Sequence, residues 1–210
     1  MLGIFRVYVK YLLLILFLLS INAQALCELG FDFNYNRQVY GLDMKNKLTN
    51  RTYLTSLAIY IFSTTALEIN YSNNTRITTE NNDVAITGST FKVSSVQNTV
   101  DNKIYGVGIR QALLPSTFRF RPMVSIGYAR RFTQDSTHYT FHDTSTGNSF
   151  GFTDGPVKIR DDSVFAAFIL QWRLAQTFSI KGSMRTVFPA FQTARAKDYV
   201  EYMAGLSWFF

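Results

Sequence analysis

The segment that most constrains the fold is the end of the chain, residues 199–210, with the sequence YVEYMAGLSWFF. Its apolar residues occupy alternate positions: Val200, Tyr202, Ala204, Leu206, Trp208 and Phe210. Because successive side chains of a β-strand point to opposite sides, one face of this strand is continuously apolar. Water would make such a face a sticky patch, whereas lipid would cover it. About ten alternating residues suit a tilted strand that crosses a bilayer, so we predict a membrane-spanning strand here.

Residues 1–25 have the features of a secretory signal peptide. The basic residues Arg6 and Lys10 flank the start of an apolar run at 11–19, and residues 23–25 form an A-x-A cleavage site. The run is short for a transmembrane helix, and a retained N-terminal anchor is the alternative. We predict cleavage after Ala25 and one mature domain, residues 26–210. Its single cysteine cannot form an intramolecular disulfide bond.

Composition narrows the choice of fold for the exported part. No later stretch approaches 18 consecutive apolar residues, although 16% of the chain is aromatic. Only α-helices and closed β-barrels satisfy every backbone polar group in lipid, so without a transmembrane helix a closed β-barrel is the remaining way to span the membrane. The net charge of +7 falls to +5 (19 Lys and Arg against 14 Asp and Glu) when the signal peptide, which carries two basic residues, is removed. This mildly basic surface suits anionic lipids, whereas export argues against nucleic acid as a partner.

Seven earlier segments share the period of two, and the connections between the eight strands alternate in length. Short turns are predicted at 63–65, 114–117 and 174–176, and polar stretches at 41–50, 73–102, 133–160 and 189–197. The register of the second strand, 52–62, stays open because Tyr60 and Phe62 share its more polar face. Pro122 falls on an outward position of the fifth strand, which predicts a β-bulge there.

An even number of strands with all short turns on one side is the asymmetry of outer-membrane barrels. The chain resembles the small eight-stranded bacterial family that includes the membrane domain of outer-membrane protein A, outer-membrane protein X and the opacity-like proteins. The resemblance implies an all-β fold, an eight-stranded antiparallel transmembrane up-and-down β-barrel in the bacterial outer membrane. It also implies a monomer in contact with outer-membrane lipids and lipopolysaccharide.

The last strand resembles the C-terminal assembly signal of these barrels, which combines a terminal aromatic residue, alternate hydrophobic residues and a glycine five residues before the end. The matching positions are Tyr202, Gly205, Leu206, Trp208 and Phe210. The resemblance implies that the barrel-assembly machinery and periplasmic chaperones bind the unfolded chain.

Enzymes of this fold act on lipid A, and the deacylase type uses a short H-x-S-N motif. His138 is followed by Tyr-Thr and His142 by Asp-Thr, so neither forms that motif. We expect both histidines in a solvated polar loop, with no catalytic, cofactor or metal site. The favoured function is a non-catalytic structural or surface-interaction role. A lipid A-modifying enzyme and a narrow channel are the alternatives.

The inward register of the predicted strands collects many charges: Asp32, Glu68, Arg110, Arg119, Arg121, Arg173, Lys181, Arg185 and Glu201. The interior of an eight-stranded barrel is just wide enough for side chains to fill it. Counting from the short turns places Glu68 level with Arg110, and Arg185 level with Glu201. We therefore predict ion pairs that plug the interior.

Overall fold

The computed structural model describes residues 26–41, 43–81, 83–115, 117–190 and 193–210. The predicted signal peptide lies outside the described residues. Within these ranges, no helix has the length and hydrophobicity needed to cross a membrane. The strands are β1 (Cys27–Tyr40), β2 (Asn46–Tyr60), β3 (Thr65–Glu80), β4 (Val84–Ala85), β5 (Phe91–Ala112), β6 (Phe120–Asp143), β7 (Ser149–Arg173), β8 (Phe178–Pro189) and β9 (Val200–Phe209), with a 3-10 helix at Thr193–Tyr199 before β9.

Eight of these strands form one closed antiparallel sheet. Each long strand pairs with its neighbour along the chain, β9 pairs with β1, and β3 pairs with β5, while the two-residue β4 lies in the loop between them. At the seam, Cys27 and Phe210 exchange two backbone hydrogen bonds of 2.9 and 3.0 Å. The predicted eight-stranded antiparallel barrel is confirmed.

Side chains alternate between the outside and the interior as predicted. On β9, Tyr202, Leu206 and Trp208 are exposed, whereas Met203 and Ser207 are buried. On β2, whose register the sequence left open, the polar face with Tyr60 points inward. The phenol of Tyr60 donates a 2.8 Å hydrogen bond to the Glu28 carboxylate, and this bond gives the aromatic side chain a place inside the barrel.

The stretch 133–160, predicted as a polar excursion, is instead the upper part of a continuous β6–β7 hairpin with only residues 144–148 between the strands. Aromatic side chains face each other across it, and the rings of Phe141 and Phe150 stack with centroids 5.1 Å apart. Such cross-strand pairs stabilise a ladder whose polar composition looks like a loop.

The predicted β-bulge at Pro122 is wrong. The β6–β7 ladder is regular there, and the register shifts lie at Val93/Ser95 in the β5–β6 pair and at Asp135/Thr137 in the β6–β7 pair. Pro122 accepts a hydrogen bond from Leu113, which lies just beyond the end of β5. Because proline has no N–H, the only hydrogen bond lost is one at the end of the β5–β6 ladder.

The wall of the barrel is uneven in height. Strands β5, β6 and β7 have 22, 24 and 25 residues, whereas β8 and β9 have 12 and 10. The tall strands therefore rise well above the short ones at the end opposite the short turns.

Candidate functional site in the barrel interior

The interior near the short turns is organised around Glu28, which is fully buried. Its carboxylate accepts hydrogen bonds from Tyr60 (2.8 Å) and from the amide of Gln171 (2.9 Å). The same Gln171 nitrogen also donates to Ser207 at 2.8 Å. A guanidinium nitrogen of Arg110 lies 3.3 Å from Glu28. This set of bonds connects β1, β2, β5, β7 and β9 across the lumen.

The middle of the interior is held by Arg110 and Glu68. Arg110, only 1% exposed, donates from Nε to Glu68 at 2.9 Å and from Nη2 to Ser56 at 3.2 Å. The Glu68 carboxylate also accepts from Ser125 at 2.7 Å and from Asn70 at 3.2 Å. A buried ion pair stabilises only when its remaining donors and acceptors are also satisfied, and here Glu68 receives three partners.

Two further cations enter the lumen from β8. Lys181 forms a 2.8 Å ion pair with Asp32 of β1. Arg185 donates a 2.8 Å hydrogen bond to Asn70, and its guanidinium carbon lies 5.3 Å from the centre of the Phe165 ring. Buried charges in this region are thus held by hydrogen bonds and by an aromatic face.

Glycine makes room for the aromatic side chain in the middle of the lumen. A Cβ added at Gly108 or Gly127, which face each other on β5 and β6, would lie within 2.8 Å of the Phe165 ring. The same Cβ atoms would also clash with neighbouring backbone. Glycine at both positions therefore lets Phe165 fill the centre of the barrel.

Arg121 lies near the short turns and is also 1% exposed. In the part of the chain that the structure describes, its guanidinium has no hydrogen-bond partner. Its guanidinium carbon lies 5.5 Å from the centre of the Tyr60 ring, which is a cation–π contact. Arg173, on the neighbouring strand, lies 5.2 Å over the ring of the buried Phe209.

Glu201 lies higher, at the mouth of the lumen away from the short turns, and is half-buried. It accepts a 2.8 Å hydrogen bond from Asn74. With Glu201, the charged lumen side chains described above are four acidic and five basic ones. They are Glu28, Asp32, Glu68 and Glu201 against Arg110, Arg121, Arg173, Lys181 and Arg185.

The space left between these side chains is small. The gap in the middle of the lumen, bordered by Asp32, Arg110 and Phe165, measures about 10 Å³. A vestibule at the upper mouth, bordered by Arg131 and Glu201, measures about 70 Å³. A single water needs roughly 10–15 Å³ of such space, so the middle gap is at the lower limit for one water molecule.

The two predicted charge pairs differ in outcome. Glu68 and Arg110 form their ion pair, but they are not level, because Glu68 lies opposite Gly108 and Arg110 opposite Ala66. Arg185 and Glu201 are directly opposite, as counted, yet their side chains bind Asn70 and Asn74 rather than each other.

Two other placements differ from the sequence prediction. Arg119 is exposed in the turn before β6 rather than inside the barrel, because the strand begins one residue later. Glu28 is a lumen charge that the sequence analysis did not identify. Glu28 and Asp32 are four residues apart on the same strand, so their side chains point to the same face. This spacing is the sequence signal that could have placed Glu28 in the lumen.

His138 and His142 lie in strand β6 and not in the predicted loop, although both are polar outward positions at its upper end. Nδ1 of His138 is 2.9 Å from the hydroxyl of Thr153, and Nδ1 of His142 is 3.1 Å from that of Ser149. Each histidine is thus within hydrogen-bonding distance of a different hydroxyl group on β7. Throughout the described ranges, no group of three or more His, Cys, Asp or Glu side chains is placed to hold a metal ion.

Four of the five residues of the predicted assembly signal, all except Gly205, lie on the outer face at the end of the chain, near the seam. Trp208 and Phe210 are 55% and 66% exposed on the outside, and Tyr202 and Leu206 share that face. Gly205 lies on the inner face opposite Asp32, where a Cβ would come within 2.1 Å of the backbone oxygen of Phe31.

The barrel therefore has a charged interior and an apolar band on its outer surface. It is an inside-out, eight-stranded β-barrel. No family model matches the chain, and no curated protein matches it. Among solved structures, the barrel is similar to the N-terminal β-barrel domain of Pseudomonas aeruginosa OprF, at 13% identity and a TM-score of 0.49 over 89% of this chain and 97% of that one.

Two other solved structures are similar to this barrel. One is Ail, the attachment invasion locus protein of Yersinia pestis, in complex with the heparin analogue sucrose octasulfate, at 11% identity and a TM-score of 0.43 over 89% of this chain and 97% of that one. The other is Neisserial surface protein A, at 10% identity and a TM-score of 0.38, covering 88% of this chain and 97% of that one.

Proposed function

We propose that the protein is a non-catalytic integral protein of the bacterial outer membrane. Its barrel serves as a closed anchor, and its tall β5–β7 wall presents a surface for interaction outside the cell. The observation that carries this proposal is the packed lumen, crossed by ion pairs and hydrogen bonds, in which the middle gap is about 10 Å³. A passage for hydrated ions needs a continuous row of waters, and this gap holds about one.

The exterior supports the membrane location. Large apolar side chains stand exposed around the barrel, for example Ile69, Ile126 and Trp172. Monomeric soluble proteins rarely expose apolar patches of this extent. Lipid covers such a band without cost, and the closed sheet leaves no unpaired edge in the hydrocarbon region.

Single-channel recording of the wild-type protein in planar bilayers tests the closed lumen. We expect no stable conductance. Insertion is checked in parallel on the same sample by the difference in gel mobility before and after boiling, which folded barrels of this kind should show. Steady ion currents from a correctly inserted sample would contradict the proposal, and mass spectrometry of lipid A from cells with and without the protein tests the enzymatic alternative.

A further inference from the structure

The outward side chains of β5, β6 and β7 change character at one height. Lys103 of β5 lies about ten residues above Leu113, which is next to the short turn. Arg130 of β6 likewise lies about ten residues above Phe120, the first residue of that strand. A tilted strand needs about 9–11 residues to cross the hydrocarbon core. These cations therefore stand where the apolar band meets the head groups of the outer leaflet.

The cations surround an aromatic side chain. Phe132 of β6 lies directly opposite Lys103 on one side and Arg160 on the other. The guanidinium carbon of Arg160 is 5.7 Å from the centre of the Phe132 ring, and the ring of Tyr105 is 5.9 Å from it, edge-on. Lys158 is two positions above Arg160 on the same face. Two rings at this height match the aromatic girdle of a membrane barrel.

Most of this positive charge is uncompensated. In the described part of the chain, Lys103, Lys158 and Arg160 form no hydrogen bond or ion pair, whereas Arg130 is paired with Asp162 at 3.2 Å. The other nearby carboxylate, Asp101, accepts a 2.6 Å hydrogen bond from Thr75. Four cations and two carboxylates leave a net charge of about +2 in a depression of about 700 Å³ on the outer wall.

A second depression continues directly below the first and shares Tyr105 and Arg130 with it. This groove measures about 520 Å³, and its walls include the outward side chains of Leu57, Ile69 and Val107. The apolar groove lies on the lipid-facing surface and opens upward into the cationic depression. Together they are complementary in shape and polarity to a lipid with a phosphorylated head group.

We propose that this wall is a binding site for a phosphorylated lipid of the outer leaflet. The head-group phosphate contacts Lys103, Arg130 and Arg160, and one acyl chain lies in the groove beneath. Arginine suits this role because its guanidinium binds phosphate oxygens in a bidentate manner. A phosphorylated glycolipid such as lipid A and a glycerophospholipid both carry a phosphate on a sugar or glycerol backbone that also carries acyl chains. The site uses the outer-membrane location proposed above.

Native mass spectrometry of the purified, detergent-solubilised protein tests the site. The probes are bisphosphorylated lipid A, lipid A with both phosphates removed, and phosphatidylglycerol. The double variant Lys103→Gln/Arg160→Gln should bind bisphosphorylated lipid A at least tenfold more weakly than wild type. The matched control Arg37→Gln/Lys47→Gln removes the same two charge types from exposed positions on β1 and β2, away from the depression, and should change binding by less than twofold.

Gel mobility before and after boiling tests whether both variants are folded. Unchanged binding by the Lys103/Arg160 variant, or an equal loss in the control variant, would overturn the site, and so would equal binding of the dephosphorylated lipid. Phosphatidylglycerol binding that is lost in the same variant would support a site for lipid phosphates in general. A conducting wild-type barrel would contradict the proposed closed lumen and would leave this result unchanged.

Discussion

Apolar and polar side chains alternate in both the lower and the upper part of strand β6, but the face that carries the apolar ones is reversed. It is the outer face in the lower part and the inner face in the upper part. In the lower part, even positions such as Val124 and Ile126 are apolar and point outward, while the odd position Ser125 is buried. In the upper part, even positions carry His138 and His142, and the inward register carries Tyr139 and Phe141. The strand itself does not shift parity, since the extra residue at the Asp135/Thr137 irregularity is on β7.

The inversion follows from the solvent outside each part. Lipid surrounds the lower barrel, so its apolar face must point outward and its polar face must be satisfied in the lumen. Water surrounds the hairpin, so outward polar side chains cost nothing there and the aromatic side chains stack on the inner register. We place the upper membrane boundary just above Phe132, where the outward residues of β6 become polar, and we infer that different forces stabilise the two parts.

The largest effect is expected where the lower barrel closes. Replacing the outward aromatics of β9, Trp208→Ser with Phe210→Ser, should abolish assembly while export continues, because the terminal aromatic residue is the expected recognition point. Surface display on intact cells measures this. The matched control is Phe120→Ser with Trp172→Ser, a directly opposite pair of exposed aromatics on β6 and β7. Equal loss in the control would show that lipid-facing aromatic area, and not the terminal signal, is what assembly needs.

The second effect lies in the lumen. Glu68→Ala removes the acceptor of Arg110, Ser125 and Asn70 and should lower the free energy of unfolding by about 1–3 kcal/mol. Urea unfolding in lipid vesicles measures it. Glu80→Ala, at the exposed upper end of β3, should change the same quantity by less than about 0.5 kcal/mol. A Glu68 variant as stable as the Glu80 variant would show that the buried network contributes little to barrel stability.

The lower barrel was largely predictable from the sequence because lipid enforces a strict period of two. The outward residues of β9, the three short turns and the inward position of Glu68 all follow from that rule. Contact partners did not follow, because a barrel staggers its strands by a shear that sequence counting does not contain. Glu68 and Arg110 are consequently two positions out of level and meet only because the arginine side chain is long.

The upper hairpin was misassigned for the opposite reason. Its outward residues are Ser, Thr and His, which also favour loops, and it contains glycines such as Gly151, which are typical of breaks between strands. The signal that would have identified it is the aromatic alternation of Tyr139 with Phe141 and of Phe150 with Phe152. Alternation on both sides of a short Gly-containing segment is typical of a hairpin.

The third prediction separates the two parts of the molecule directly. Phe141→Ser with Phe150→Ser removes the stacked pair of the hairpin and should leave the free energy of unfolding of the barrel within about 0.5 kcal/mol of wild type. Hydrogen exchange at the upper ends of β6 and β7 should become faster, since local opening costs less there. A loss of barrel stability comparable to that of Glu68→Ala would mean that the hairpin and the barrel unfold as one unit.

The smallest effect concerns the turn at the top of the same hairpin. The Asp143 carboxylate accepts hydrogen bonds from the hydroxyl and backbone N–H of Ser145, at 2.7 and 2.9 Å, and from the hydroxyl of Thr146 at 2.8 Å. These bonds, the Ser145 hydroxyl first, hold the pKa of Asp143 below its ordinary value.

A carboxyl group whose pKa is lowered in the folded state stabilises that state above its unfolded pKa, about 3.9 for Asp. The contribution is lost as the pH falls through the folded pKa. The amide signal of Ser145 in an NMR titration should therefore be constant from pH 7 to about pH 5 and should move only in stronger acid. In Asp143→Asn, which cannot ionise, that movement should disappear. A titration midpoint of the Ser145 signal at or above about 3.9, the ordinary pKa of Asp, would show that these hydrogen bonds do not lower the pKa of Asp143 in solution.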